Sequence, residues 1–194
     1  AIVDEQLLSH SDDERQQLLD GYDALMTNLA GVCIGVSTAD CIPVLLYDSD
    51  HHAVCAIHAG WRGTVARIVE HAVAAMTAAY GTRPSQLKAQ IAPGISLESF
   101  EVGDEVYEAF SSEGFCMEQI ACLLPTSSTL DNGKRHKWHI DLPKCNSLQL
   151  QSLGIPAANI HDCGICTYDH ADRFFSARRL GIQSGRIYTG IILR

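Results

Sequence analysis

The sequence has little positive charge and no long apolar run. Its 194 residues carry 14 Lys and Arg against 23 Asp and Glu, a formal net charge of -9. A general nucleic-acid binder needs a surplus of basic side chains for phosphate contact, so this balance argues against that class and implies that any anionic ligand is held by a local cluster. No run approaches the roughly 18 apolar residues of a membrane span, and the N-terminus has no signal pattern. We therefore expect a soluble, cytoplasmic protein with no nucleic-acid or membrane partner.

Linkers, repeats and low-complexity tracts are also lacking. The chain is 46% apolar and 19% charged, as globular proteins are, and we predict a single domain over residues 1–194. The chain begins at Ala1 and not at Met, so we also expect that this domain lacks an N-terminal segment. The eight cysteines are spread through apolar segments, which favours reduced thiols over a disulfide framework.

The apolar patterning predicts mixed strands and helices. Short runs typical of strands lie at residues 22–27, 32–37, 42–47, 53–57, 87–92 and 186–193, and helical patterns lie at 12–19, 104–110 and 142–153. The clearest helical period runs from Val65 to Ala79, with Thr64 as its expected cap and Gly81 as its end. At least one hairpin interrupts the strand and helix alternation, so we predict an α+β fold, a layered sandwich of mixed sheets with flanking helices.

Cys41 and His58 stand at the two ends of a predicted hairpin. If residues 49–50 form a two-residue turn, Cys41 faces His58, and opposed side chains have Cβ atoms about 4.5–5.5 Å apart. One zinc ion can bridge that span through sulfur and nitrogen. A turn longer by two residues would place Cys41 opposite Gly60 instead. The same pair also suits a nucleophilic thiolate activated by His58, or a buried thiol beside a core histidine.

The segment 60–63, Gly-Trp-Arg-Gly, leads from this hairpin into the predicted helix. A helix N-terminus favours an anion, and Arg62 is a forked donor, so phosphate is a reasonable ligand here. The alternative is an ordinary turn between a strand and a helix.

Two adjoining motifs carry a family resemblance. Residues 38–46 read TADCIPVLL and residues 58–63 read HAGWRG, and together they resemble the signature of the laccase-domain family, the YfiH-type purine nucleoside phosphorylases once described as multicopper polyphenol oxidases. Later motifs follow in that family's order at residues 100–106, 141–142, 166–167, 174–179 and 184–186. Two departures are the turn at residues 91–96 and Ala177, which stands where an aromatic residue is common.

The resemblance implies a zinc enzyme that cleaves adenosine, inosine and methylthioadenosine with phosphate and also deaminates adenosine. The family's metal is held by one Cys and two His, and Cys41 and His58 match two of these positions. The third histidine lies, in the family, in a Val-His-Gly motif upstream of the region where this chain begins. His10 is the nearest histidine here, but its surroundings differ from that motif. Either the chain lacks an N-terminal segment that carries the third histidine, or this member has lost full metal binding.

Further residues follow from this chemistry. We predict Asp40 and Arg62 as catalytic residues, with Asp40 either moving a proton or, as we favour, orienting a metal ligand. For phosphate and substrate we predict Arg62, Ser176, Arg178 and Arg179. If the two last arginines lie on a strand, they point to opposite faces and only one reaches the pocket.

Other candidates are weaker. Cys163 and Cys166 form a single CxxC pair, to which we assign a structural role. We expect His136 and His139 to be solvated loop residues, with His139 as a reserve ligand. Copper is disfavoured against zinc, because the sequence has no His-x-His pair and electron transfer to oxygen needs further histidine-rich sites. Two other functions stay open, a metal-free Cys/His hydrolase or amidase and a non-catalytic binding module.

Overall fold

Strands and helices alternate irregularly along the chain in the structure, a computed structural model that describes residues 1–126 and 136–194. The strands are β1 (Ala24–Thr27), β2 (Cys33–Thr38), β3 (Ile42–Asp48), β4 (Ala53–Ala59), β5 (Lys88–Ile91), β6 (Glu101–Val102), β7 (Ala121–Pro125), β8 (His136–Ile140), β9 (Ile160–Asp162) and β10 (Ile187–Ile192). The α-helices are α1 (Glu5–Leu8), α2 (Asp12–Leu19), α3 (Trp61–Val65), α4 (Ile68–Tyr80), α5 (Asp104–Ser112), α6 (Met117–Ile120), α7 (Leu142–Ser152) and α8 (Ala177–Leu180).

The strands form three sheets. The largest has the order β1-β4-β3-β5-β9, in which only the β5–β9 pair is parallel. β10 pairs with β2 in a second sheet, and β6, β8 and β7 form a third. Mixed sheets with flanking helices confirm the predicted α+β class.

The central strand β4 is buried on both faces. Cys55 and Ile57 belong to the main hydrophobic core, which includes the buried face of α4. Val54 and Ala56 belong to a second cluster that includes residues of β2. A strand covered on both faces reads as a continuous apolar run, as residues 53–57 do.

The β3–β4 hairpin differs from its predicted form. Ile42 pairs with Ala59 and Asp48 with Ala53, so the connection has four residues and the predicted two-residue turn is wrong. The buried Asp48 carboxylate explains the longer loop, because it accepts hydrogen bonds from the backbone N–H groups of Asp50, at 3.0 Å, and His51, at 3.2 Å. An aspartate that bonds its own following backbone stabilises such a turn.

The predicted helix after residue 64 is two helices. Arg67 adopts a left-handed conformation, with φ 59°, between α3 and α4. Thr64 is therefore not a cap; it is buried in α3 and accepts a hydrogen bond from the Asn146 amide at 3.2 Å. The expected end at Gly81 is confirmed, with φ 74°. Across residues 1–126 and 136–194, no helix combines the length and apolar character that crossing a membrane requires.

We expect the buried β3–β4 hairpin to contribute strongly to the free energy of unfolding. Leu46 on β3 has no solvent exposure, whereas Leu18 on α2 is 50% exposed. We expect Leu46→Ala to lower the free energy of unfolding by about 2–5 kcal/mol, because a buried leucine leaves a cavity. The matched Leu18→Ala change should stay within about 0.5 kcal/mol. Urea unfolding followed by circular dichroism measures both, and equal losses would contradict the described core.

Candidate metal and substrate site

Cys41 and His58 meet over Gly60 in spite of the longer turn. The register puts Pro43 opposite His58, so Cys41, two residues before Pro43, is diagonal to the histidine and on the same sheet face. A Cβ atom on Gly60 would lie 3.1 Å from Cys41 Sγ and 3.8 Å from His58 Nε2. The missing side chain at residue 60 therefore leaves a space that borders both the sulfur and the nitrogen.

Asp23 fixes the orientation of the imidazole. Its Oδ1 lies 2.8 Å from His58 Nδ1, and its backbone carbonyl accepts a hydrogen bond from the His58 N–H at 2.7 Å. The pKa of His58 is raised to about 9, chiefly because the ring hydrogen-bonds to Cys41 and also because it bonds to Asp23, whereas burial acts in the opposite direction. The sequence analysis missed Asp23, because its approach to His58 depends on the long-range pairing of β1 with β4.

These donors fit part of a metal site. A sulfur and an imidazole nitrogen converge, and a carboxylate holds the other ring nitrogen, as is usual for metal-bound histidine. Residues 1–126 and 136–194 contain no group of three or more His, Cys, Asp and Glu side chains arranged to hold a metal ion. His10 is paired elsewhere, with its Nδ1 3.7 Å from Glu14 in α2.

Asp40 is a buried anchor beside Cys41. One carboxylate oxygen accepts a hydrogen bond from the Thr167 hydroxyl at 2.7 Å, and the other accepts one from the Arg178 backbone N–H at 2.7 Å. Its backbone is left-handed, with φ 85°, and its carbonyl accepts the Ile95 N–H at 2.8 Å. The 91–96 turn, one of the departures from the family pattern, thus supports the residue next to Cys41. These contacts favour positioning of Cys41 over proton transfer.

The segment with the two arginines is helical and not a strand, so the condition under which they would point to opposite faces of a sheet is not met. Ser176 is fully buried and accepts a hydrogen bond from the Arg179 N–H at 3.2 Å as the cap of α8. The side chains diverge: Arg178 donates to the Glu101 carbonyl at 2.8 Å, and Arg179 donates to the Tyr168 carbonyl at 2.9 Å. Arg178 is the one joined to Asp40, and the phosphate roles of all three residues stay predictions.

Arg62 is the second residue of α3 and lies two residues after Gly60. Its guanidinium stacks on the Trp61 ring, 4.2 Å from the ring centroid. This helix has five residues and not the long run predicted, so the helix dipole at this point is small. Any anion binding here depends mainly on the arginine itself.

The structure supports some of the predictions for the weaker candidates and contradicts others. Both histidines lie on β8, so the predicted loop is wrong. His139 is 5% exposed, so its prediction as a solvated residue is also wrong, whereas His136 is exposed as predicted. Cys163 and Cys166 are both free thiols. Cys166 is buried and accepts a hydrogen bond from the Ser96 N–H at 3.4 Å, which agrees with the predicted structural role.

Known proteins match nearly the whole chain. The family model for multi-copper polyphenol oxidoreductase laccase matches residues 3–194. A purine nucleoside phosphorylase of Bacteroides thetaiotaomicron is 48% identical over 99% of this chain and 68% of its own length. Adenosine deaminase RL5, from an unknown prokaryotic organism, is 44% identical over 98% of this chain and 70% of its own length.

Solved structures share the fold. YlmD from Geobacillus stearothermophilus superimposes with a TM-score of 0.80 at 29% identity, covering 100% of this chain and 68% of that one. The hypothetical protein YfiH of Bacillus licheniformis gives 0.78 at 28% identity, covering 89% of this chain and 61% of that one. This chain thus spans roughly two thirds of the length of these proteins. It belongs to this enzyme family, that of the multi-copper polyphenol oxidoreductase laccases.

Proposed function

We propose that the protein is a zinc-dependent purine nucleoside phosphorylase with adenosine deaminase activity. The observation that carries the proposal is the convergence of Cys41 Sγ and His58 Nε2 over Gly60, in a chain similar to proteins named for both activities. The two hydrophobic clusters share β4, which supports one domain around this site. Purine nucleosides and phosphate are the proposed substrates.

Cys41 and His58 would hold the zinc ion. Residues 1–126 and 136–194 contain no third His, Cys, Asp or Glu side chain grouped with them as a metal ligand. Zinc supplies a Lewis acid that activates water or polarises the substrate. The sulfur of Cys41 and the imidazole of His58 are ligands that zinc accepts, whereas a blue-copper centre also requires a second histidine and usually an axial methionine. The donor set therefore favours zinc over copper.

The chain's own residues have separable tasks in this proposal. Asp23 keeps His58 Nε2 directed at the metal position, and Asp40 holds the backbone next to Cys41 in place. In phosphorolysis the bond from C1′ to the purine breaks and a bond from C1′ to phosphate oxygen forms, so a cation must hold the phosphate. Arg62 is the best placed of the predicted arginines, because it lies two residues after Gly60. Its guanidinium stacks on the Trp61 ring and donates to no carbonyl among the hydrogen bonds of the described residues.

Product analysis tests the activity. We expect zinc-loaded protein to convert adenosine with phosphate into adenine and ribose 1-phosphate, and adenosine without phosphate into inosine and ammonia. Chelation should abolish both reactions, and added zinc should restore them. Chromatography of the products measures each reaction, with Cys33→Ser as the control for Cys41→Ser because Cys33 is an exposed free cysteine outside the pair.

Other results would contradict the proposal. Hydrolysis that survives chelation and is lost on thiol alkylation would support the metal-free Cys/His hydrolase or amidase. Absence of any product from zinc-loaded protein would support a non-catalytic binding module.

The Asp23 carboxylate gives a second test. Asp23→Asn keeps the side-chain shape and removes the charge beside His58 Nδ1. Loss of such a partner typically lowers metal affinity by about 10- to 100-fold. Competition with a chromophoric chelator measures zinc affinity, and Asp20→Asn is the matched control, since Asp20 is an exposed carboxylate nearby. Equal affinities of the two variants would refute the orienting role.

A further inference from the structure

His139 lines a cavity and also has an unused hydrogen-bond acceptor. Its Nδ1 lies 3.0 Å from the Leu97 carbonyl oxygen, and a carbonyl can only accept, so Nδ1 carries the proton in the neutral ring. Nε2 is then the acceptor. That atom is out of solvent contact and has no hydrogen-bond partner among the described residues. Leaving a buried polar atom unpaired costs on the order of 1–3 kcal/mol, which calls for an explanation.

The cavity beside His139 is polar and large enough for a sugar. Its volume is about 370 Å³. The lining residues are Glu98, Ser99, Glu101, Pro125, Thr126, His139, Tyr168 and Arg178. Two carboxylates disfavour phosphate, and the scarcity of apolar side chains disfavours a purine ring. Hydroxyl groups donate and accept, so a sugar can pair with the carboxylates, the histidine and the arginine together.

Arg178 connects this cavity to the proposed metal site. Its backbone N–H bonds to Asp40, the residue before Cys41, and its side chain reaches the cavity wall, where it donates to the Glu101 carbonyl. The distance from Asp40 to the cavity is therefore about the length of the Arg178 side chain. A nucleoside with its reacting atoms near Cys41 could place its sugar on this side.

We propose that this cavity binds the ribose of the substrate and that His139 Nε2 accepts a hydrogen bond from one ribose hydroxyl. The inference rests on the proposed function for the choice of a nucleoside as the ligand. His139 is 5% exposed and its Nε2 is out of solvent contact, so binding requires a side-chain movement that opens this atom to the cavity. His139 is thus a specificity-determining residue for the sugar.

Deoxynucleosides test this assignment directly. Calorimetry on the zinc-loaded protein without phosphate would compare inosine, which cannot be deaminated, with 2′-deoxyinosine, 3′-deoxyinosine, 5′-deoxyinosine and free hypoxanthine. We expect one deoxy analogue to bind about tenfold more weakly than inosine, the effect of one lost hydrogen bond. His139→Asn keeps a donor for the Leu97 carbonyl and removes Nε2. It should bind inosine about tenfold more weakly and lose the discrimination against that analogue.

Matched variants keep the result interpretable. His136→Asn, on the same strand and exposed, should bind like the unmodified protein. If His139→Asn does not fold, His139→Gln, whose amide lies near the Nε2 position, replaces it and should keep part of the discrimination.

The two proposals fail separately. Discrimination among the deoxynucleosides without product formation would overturn the proposed activity and keep the sugar site. Turnover with equal binding of all analogues, or a His139→Asn loss of affinity that is the same for hypoxanthine as for inosine, would overturn the sugar site. Absence of nucleoside binding would overturn both.

Discussion

The site depends on the pairing of β3 with β4. Because β4 is buried on both faces, with Ile57 in one hydrophobic cluster and Ala56 in the other, a slip by one residue would turn every side chain of the strand to the wrong side. The described core therefore fixes which face carries His58 and, through β3, which face carries Cys41 just before it. Gly60 then leaves open the space between the sulfur and the imidazole. The chemistry that we propose is a consequence of packing that lies mostly away from the site.

Hydrogen bonds of Asp23 and Asp40 orient the side chains that the hydrophobic packing brings to the site. Asp23 enters from the strand on the other side of β4 and bonds His58 Nδ1, while Asp40 ties the residue before Cys41 to Thr167 and to the backbone of Arg178. Segments far apart in the chain thus meet within two residues of the proposed metal ligands. The two hydrogen bonds of the Asp40 carboxylate span 127 and 138 residues, and they bring the family motifs at residues 38–46, 166–167 and 174–179 together.

Much of the fold and part of the site could be predicted from local pattern. The apolar runs that became β2, β3 and β4 were evident, and Gly81 ended its helix as predicted. The hairpin register was wrong by two residues, but a shift of two keeps the side-chain face, so Cys41 and His58 still meet. Asp48 caused the error, since its carboxylate stabilises a longer loop than composition suggests.

The remaining errors come from long-range contacts. Asp23 approaches His58 only after β1 pairs with β4, which no local period reveals. Arg67 breaks the predicted helix and is held there by Glu70 and by the Glu113 carbonyl, the latter 46 residues away. His139 is buried because β8 lies between β6 and β7, although its surroundings in the sequence are polar.

The central claim is that Cys41 and His58 bind one zinc ion together. X-ray absorption spectroscopy at the zinc edge of the loaded protein tests it most directly. The account predicts one sulfur at about 2.3 Å among nitrogen and oxygen ligands at about 2.0–2.1 Å, with the sulfur absent in Cys41→Ser. A spectrum with nitrogen and oxygen alone, or a sulfur that persists in Cys41→Ser, would contradict it.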